Sequence, residues 1–196
     1  ASGDEPPVAV PGASVKATES EDARKAGLMV AAGVVRIAKM LAENVEELGR
    51  IDAQAGDGDH GLGMARGSAA AAKAAQEAVS LGAGPASVLT AAAEAWADLA
   101  GGTSGAIWGL GLRSVASELS DHGVMTRQQA VMGARREPEH IMELGGAKVG
   151  DKTPADSTSP LVEPLTEFLE RGATPKSSRI KAERAGQAAA VAPAIL

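Results

Sequence analysis

Hydrophobic residues recur with a helical period over most of the chain after residue 21. The first such stretch carries apolar residues at intervals of three and four, namely Val30, Val34, Ile37, Leu41, Val45 and Leu48. This spacing lines one face of a helix and predicts a single helix over about Asp22–Leu48. Gly49 then stands where a C-terminal cap is expected.

Glycine and proline residues divide the rest of the chain into further helical stretches. The pattern predicts helices over about 62–79, 85–100, 106–119, 126–144, 161–171 and 176–192. Three glycine-rich loops lie between them, at Asp52–Gly61, Gly101–Gly105 and Gly145–Ser159. Because no stretch alternates as a strand does, the predicted fold class is all-α, an up-and-down bundle of antiparallel amphipathic helices.

The composition agrees with this fold class. Among the 196 residues are 42 alanines and 24 glycines, whereas aromatic residues make up only 2%. Such a chain has too few β-branched and aromatic residues for a β-sandwich or a β-barrel. Small side chains instead favour closely packed helices, with the core completed by the few large residues.

Several residues are predicted to lie at helix contacts or in the interior. Trp96 and Trp108 are assigned to core packing, because tryptophan buries a large apolar area. Four glycines are expected to permit close helix contacts: Gly27, Gly33, Gly67 and Gly109. Four methionines are expected to fill the interior: Met29, Met40, Met132 and Met142. His122 and His140 are assigned to surface or helix-facing positions.

Charge and segment patterns exclude several classes of function. A net charge of −6 argues against direct nucleic-acid binding and against anchoring at an anionic membrane. The absence of cysteine excludes disulfides and zinc-thiolate sites. Residues 1–20 are polar and proline-rich, unlike a secretory signal; they predict a flexible tail or interdomain linker before a domain at 21–196. No stretch has the ~20 apolar residues of a membrane span, so we expect a cytoplasmic location.

The first glycine-rich loop concentrates carboxylates. Asp52, Asp57 and Asp59 fall within eight residues, and the interspersed glycines let the backbone turn sharply. Carboxylates so close repel one another unless a cation lies among them, and their oxygens suit Mg²⁺ or Ca²⁺ better than zinc. An EF-hand is excluded because the twelfth loop position lacks Glu. A glycine pattern of the dinucleotide-binding type is also present, but no strand precedes it.

The remaining two loops have features that are typical of phosphate-binding sites. Gly101–Gly105 opens a predicted helix, whose free N–H groups and two hydroxyls attract anions. Gly145–Thr153 resembles a P-loop, although Asp151 interrupts the usual spacing and no strand leads into it. A metal cluster and two phosphate-binding loops at one end of a helical bundle predict a Mg-nucleotide site without a P-loop.

These motifs resemble the nucleotide-binding (L) domain of dihydroxyacetone kinases. The resemblance rests on Asp52-x4-Asp57-Gly-Asp59-His60-Gly61-x2-Met64, on Gly101-Gly-Thr-Ser-Gly105 and on Gly146-Ala-Lys-x-Gly150-Asp-Lys-Thr153. It covers about residues 25–196 and implies a closed barrel of eight antiparallel helices. In the family the chain continues past the position of Leu196 into an arginine-bearing lid segment and the eighth helix; either these are missing from the protein, or the given sequence stops before them.

The resemblance also implies the site residues. Asp52, Asp57 and Asp59 would bind two Mg²⁺ ions that bridge the phosphates of ATP or ADP. The nucleotide contacts would come from the loop residues His60, Gly61, Met64, Gly102, Thr103, Ser104, Gly145, Gly146, Thr153 and Pro154. Pro154 stands where the family has an apolar residue, often Met, against the base. No residue is assigned a catalytic role.

The function that the resemblance implies is half of a kinase. This domain would hold Mg-ATP, while a separate K domain or subunit binds the ketose, dihydroxyacetone or a relative such as erythrulose. A second hypothesis is an L subunit with permanently bound ADP, rephosphorylated by a phosphocarrier protein. A third is an ADP-loaded module that binds a transcription regulator, or a different Mg-dependent phosphohydrolase. A homodimer, and a lipid inside the barrel, are side hypotheses.

Overall fold

The computed structural model describes residues 15–54, 56–126, 128–129 and 132–133. Five helices lie within these ranges: α1 (Glu21–Glu43), α2 (Val45–Asp52), α3 (His60–Ser80), α4 (Pro85–Ala100) and α5 (Gly102–Ser117). No described residue belongs to a strand, so the all-α prediction is confirmed. None of the described helices is long and apolar enough to cross a membrane.

Helix boundaries differ from the predicted ones at three places. Asn44 interrupts the predicted helix over Asp22–Leu48, and its side-chain amide donates back to the Met40 carbonyl at 2.7 Å. Gly49 therefore lies inside α2 rather than at a C-terminal cap. The apolar spacing continues through the interruption, which is why periodicity alone predicts one helix. The Gly101–Gly105 stretch is mostly helical, since α5 begins at Gly102.

Small residues hold neighbouring helices at close, antiparallel contact. A Cβ on Gly67 of α3 would lie 2.6 Å from the Cβ of Ala100, near the end of α4. A Cβ on Gly109 of α5 would lie 2.7 Å from that of Ala97, one turn earlier on α4. Gly27 contacts the turn after α3 in the same way, whereas Gly33 faces open space. The predicted close contacts are thus confirmed at three glycines and wrong at Gly33.

The core between these helices consists mainly of alanine, with one large aromatic side chain. Trp96 is 3% exposed, and its ring lies 6.2 Å from that of the half-buried Trp108, so the predicted packing role is confirmed. The predicted interior methionines are wrong where they are described: Met29, Met40 and Met132 are 61%, 53% and 37% exposed. Those on α1 lie off its buried stripe, which includes Ala26, Val34 and Leu41.

Hydrogen bonds of Asp121 and Thr18 join three segments at the end of the bundle that contains the α3–α4 turn: residues 15–20, that turn with the start of α4, and the loop around Asp121. We call this set of hydrogen bonds the Asp121 clasp. Asp121 accepts hydrogen bonds from the backbone N–H groups of Ala86 and Ser87, at 2.9 and 3.2 Å, and from the Ser87 hydroxyl. Thr18, which is buried, donates to the Asp121 carbonyl at 2.6 Å and binds Gly82 through its own N–H. Residues 15–20 are therefore packed onto the helices.

Replacing Asp121 with alanine is expected to destabilise the fold by about 1–2 kcal/mol, because α4 loses the carboxylate that caps its first N–H groups. Urea denaturation followed by tryptophan fluorescence measures this loss. Ser120→Ala is the control, since the side-chain hydrogen bonds of Ser120 among the described residues are local ones with His122. Equal stability of the two variants would contradict the capping role.

The rest of the predicted architecture lies outside the described residues. Of the predicted helix over 126–144, residues 128–129 and 132–133 are helical. The predicted helices at 161–171 and 176–192, the loop at 145–159, Met142 and His140 lie in the part that is not described. His122 is exposed, as predicted.

Candidate metal and phosphate site

Two of the predicted functional loops lie at the same end of the bundle. The first turn of α3 contacts the last turn of α4, since a Cβ on Gly63 would lie 3.3 Å from the Ala100 carbonyl oxygen. The loop before α3 and the start of α5 are therefore neighbours, on the opposite end from the Asp121 clasp.

Three carboxylates meet at this end. Asp52, Asp57 and Asp59 each present an oxygen such that all three oxygens lie within 4.8 Å of one another. We call these residues the acidic cluster. Asp52 is half-buried, and the other two are exposed. Three carboxylate oxygens at this separation form a donor set that suits a hard divalent cation such as Mg²⁺.

Backbone hydrogen bonds explain why the loop places the carboxylates together. Asp52, the last residue of α2, accepts from the N–H of Gly58 at 2.9 Å and from that of His60 at 3.4 Å. The second bond joins the end of α2 to the start of α3. Gly58 has a φ of +81°, which favours glycine and allows the sharp turn between Asp57 and Asp59.

The electrostatics of the acidic cluster favour a bound cation. The pKa of Asp59 is raised, chiefly by its hydrogen bond to Asp57 and by the negative charge of that residue. The charge of Asp52 adds to the rise, and Arg66 opposes it. Repulsion between neighbouring carboxylates is relieved when a divalent ion lies among them, so the donor set fits the predicted Mg²⁺.

The N-terminus of α5 provides a second polar feature beside this cluster. Among the described residues no side chain caps α5, and its first residues include Gly102 and the exposed Thr103. Gly101 and Gly102 have positive φ values of 75° and 59°, and a Cβ on either would meet nothing within 4 Å. Uncapped N–H groups at the start of a helix attract phosphate, and here they are accessible.

Comparison with known proteins identifies the family. A family model described as the DAK2 domain matches residues 54–194. The chain belongs to the DAK2 domain family. This chain is 48% identical over 151 residues to a D-erythrulose kinase of Mycolicibacterium smegmatis. The match covers 77% of this chain and 25% of that protein. The chain is 45% identical over 161 residues to an L-erythrulose kinase of Pectobacterium atrosepticum, covering 82% and 27%.

The fold of this DAK2 domain is also found in a solved structure. The crystal structure of the dihydroxyacetone kinase from C. freundii, in complex with AMP-PNP and Mg²⁺, superposes with a TM-score of 0.67 at 21% identity. The match covers 94% of this chain and 32% of the kinase. This likeness shows a shared helical fold. The chain spans about a quarter to a third of the proteins that it matches.

The predicted site residues of the DAK2 domain do not all share one environment. The acidic cluster and the half-buried His60 lie together, and Gly102 and Thr103 lie at the same end. Gly61 packs against α2, and Met64 belongs to the hydrophobic core. Ser104 lies in the first turn of α5. Four others, Gly145, Gly146, Thr153 and Pro154, lie outside the described residues.

Arg66 is a charged residue on α3 that was not among the predicted site residues. Arg66 lies on α3 and is exposed, and its charge acts on the Asp59 carboxyl. The signal that could have found it is its position seven residues after Asp59, which is about two helical turns along the same face.

Proposed function

We propose that this DAK2 domain is the Mg-nucleotide-binding part of a ketose kinase. It would hold ATP so that the terminal phosphoryl group passes to a ketose bound by a separate K domain or subunit. The single observation that carries this proposal is the meeting of three carboxylate oxygens within 4.8 Å, at the end of the bundle where α5 begins with no capping side chain among the described residues. Phosphoryl transfer depends mainly on charge neutralisation and positioning, which such a site offers.

Under this proposal, the geometry assigns a role to each of the residues at the site. Asp52, Asp57 and Asp59 would hold Mg²⁺, two ions in the resemblance described above, when the nucleotide is bound. The N–H groups at the start of α5 and the Thr103 hydroxyl would bind phosphate oxygens. Gly61 has a different part here, because its lack of a side chain lets α2 and α3 meet and so keeps Asp52 near Asp57.

The relatives favour a kinase that uses ATP over an L subunit with permanently bound ADP. The proteins named as erythrulose kinases are about four times as long as the part that matches this chain. Such length leaves room for a ketose-binding part in the same polypeptide. Under this proposal residues 1–20 act as an interdomain linker, of which 15–20 are packed against the helices, and 21–196 form the nucleotide-binding domain in the cytoplasm.

Choice of ketose is proposed to lie outside this domain. Similar sequences, at 48% and 45% identity, belong to kinases named for D-erythrulose and for L-erythrulose. Neither the acidic cluster nor the start of α5 offers a group that distinguishes sugar stereochemistry. We therefore propose erythrulose or dihydroxyacetone as the substrate class, selected by the K domain.

Reconstitution tests the proposed function. The purified chain, mixed with the part of the M. smegmatis D-erythrulose kinase that lies outside its match to this chain, Mg²⁺, ATP and erythrulose, is expected to form erythrulose phosphate, whereas either part alone is expected to form none. Asp59→Asn is the negative control. A chain that keeps ADP through prolonged dialysis and does not exchange it for ATP would contradict the proposal and favour the phosphocarrier-dependent L subunit.

A further inference from the structure

Arg66 is a cation that the proposed site has not used, and it lies on α3 about two helical turns after Asp59. It is exposed and makes no hydrogen bond or ion pair with another described residue. Two other basic residues, on α2 and α3, have acidic partners: Arg50 binds Glu47 at 2.6 Å, and Lys73 lies 3.8 Å from Glu77. Within the part of the chain that the structure describes, Arg66 is therefore an arginine with no polar partner, at the end of the bundle that carries the three carboxylates.

The position of Arg66 on α3 directs its side chain towards the metal end. The buried face of this helix carries Met64, Gly67 and Ser68, and Arg66 lies on the opposite face with the exposed Leu62. Helical side chains slant towards the N-terminus of their helix, which here is the end that holds the acidic cluster.

We propose that Arg66 is a phosphate-binding residue, whose guanidinium contacts the phosphate chain of the nucleotide held at the acidic cluster. This inference rests on the proposed function and deepens it. Arginine suits the role because its planar fork binds two phosphate oxygens at once. Metal ions held by the acidic cluster would offset the charge of its carboxylates, and the phosphates of the nucleotide would add negative charge that Arg66 offsets.

The proposal predicts effects of opposite sign on two ligands. Arg66→Gln should weaken Mg-ATP and Mg-ADP binding by about tenfold, the loss expected for a charge-assisted contact. The same variant should bind Mn²⁺ without nucleotide about twofold more tightly, because a repelling cation has been removed. Arg66→Lys should lose about threefold in nucleotide affinity, since it keeps the charge but not the fork.

Calorimetric titrations of the full chain with Mn²⁺ alone and with Mg-ADP measure both effects. Lys73→Gln is the matched control, a cation two turns further along α3 that is paired with Glu77; it should leave both affinities unchanged. Unchanged nucleotide affinity in Arg66→Gln, or equal weakening of metal and nucleotide binding, overturns the inference. A wild-type chain that binds no nucleotide in Mg²⁺ overturns the proposed function and the inference with it.

Discussion

Replacing Asp59 or Asp57 with asparagine is expected to weaken Mg-dependent nucleotide binding by about 100-fold or more. The reason is that each supplies one of three oxygens that lie within 4.8 Å of one another. Loss of a residue that merely orients a metal ligand already lowers affinity by about 10–100-fold, and loss of the ligand itself should exceed that. Titration of ADP in the presence of Mg²⁺ measures the change.

A matched control separates ligand loss from a general change in charge. Glu46→Gln removes one negative charge from an exposed position on α2, the helix that ends at Asp52. The substitution does not alter any residue of the acidic cluster. It should reduce affinity by no more than about twofold, because exposed charges are screened by water and salt. If Asp59→Asn and Glu46→Gln behave alike, the metal assignment is wrong.

The same aspartate variants should fold as well as the wild type. In the folded chain the pKa of Asp59 is raised by Asp57, so the charged form is disfavoured there relative to the unfolded chain. A raised carboxyl pKa means that the metal-free fold loses stability as pH rises above the ordinary Asp value. Asp59→Asn removes this repulsion, and its melting temperature without metal at neutral pH should be no lower than that of the wild type.

Replacing Gly61 with alanine is expected to destabilise the domain by about 1–3 kcal/mol, the usual range for an added methyl group in a packed contact. A Cβ there would collide with the Val45 carbonyl oxygen and lie 3.1 Å from the Gly49 nitrogen. Both atoms belong to the backbone of α2, which must move away. Because Asp52 ends α2, nucleotide affinity should fall as well.

Gly33→Ala is the matched control for this substitution. Gly33 lies within α1, and its added Cβ would meet nothing within 4 Å. Alanine there should stabilise the helix by about 0.5–1 kcal/mol, through helix propensity alone. Urea denaturation of both variants measures the change in the free energy of unfolding. A Gly61→Ala protein as stable as Gly33→Ala would contradict the close contact between α2 and α3.

Helix number and class were largely predictable for the described part of the chain, whereas helix ends and buried faces were not. The break at Asn44 leaves the apolar spacing intact, so periodicity could not reveal it. The methionines of α1 could not be placed either, because apolar residues occupy more than one side of that helix. Which side is buried depends on the small residues that α3 and α4 bring to the contact.

Candidate site residues were predictable where they lie close in sequence. The acidic cluster spans eight residues, so a single loop brings its carboxylates together. Met64 shows the limit of that reasoning. Its place in the motif predicts a contact with the nucleotide, whereas its side chain packs in the hydrophobic core. Its role at the site stays a prediction.

The amino-acid sequence by itself determined the all-α class, the acidic loop and its chemistry, because period, composition and local spacing are properties of neighbouring residues. Tertiary structure alone decided which residues join the helices at the metal end, where the first turn of α3 contacts the Ala100 carbonyl of α4, since that contact joins residues far apart in the chain. It also decided the clasp of Asp121 on α4, some 35 residues away. It also left Arg66 without a polar partner among the residues that the structure describes, because pairing depends on which charges the packed helices bring within reach.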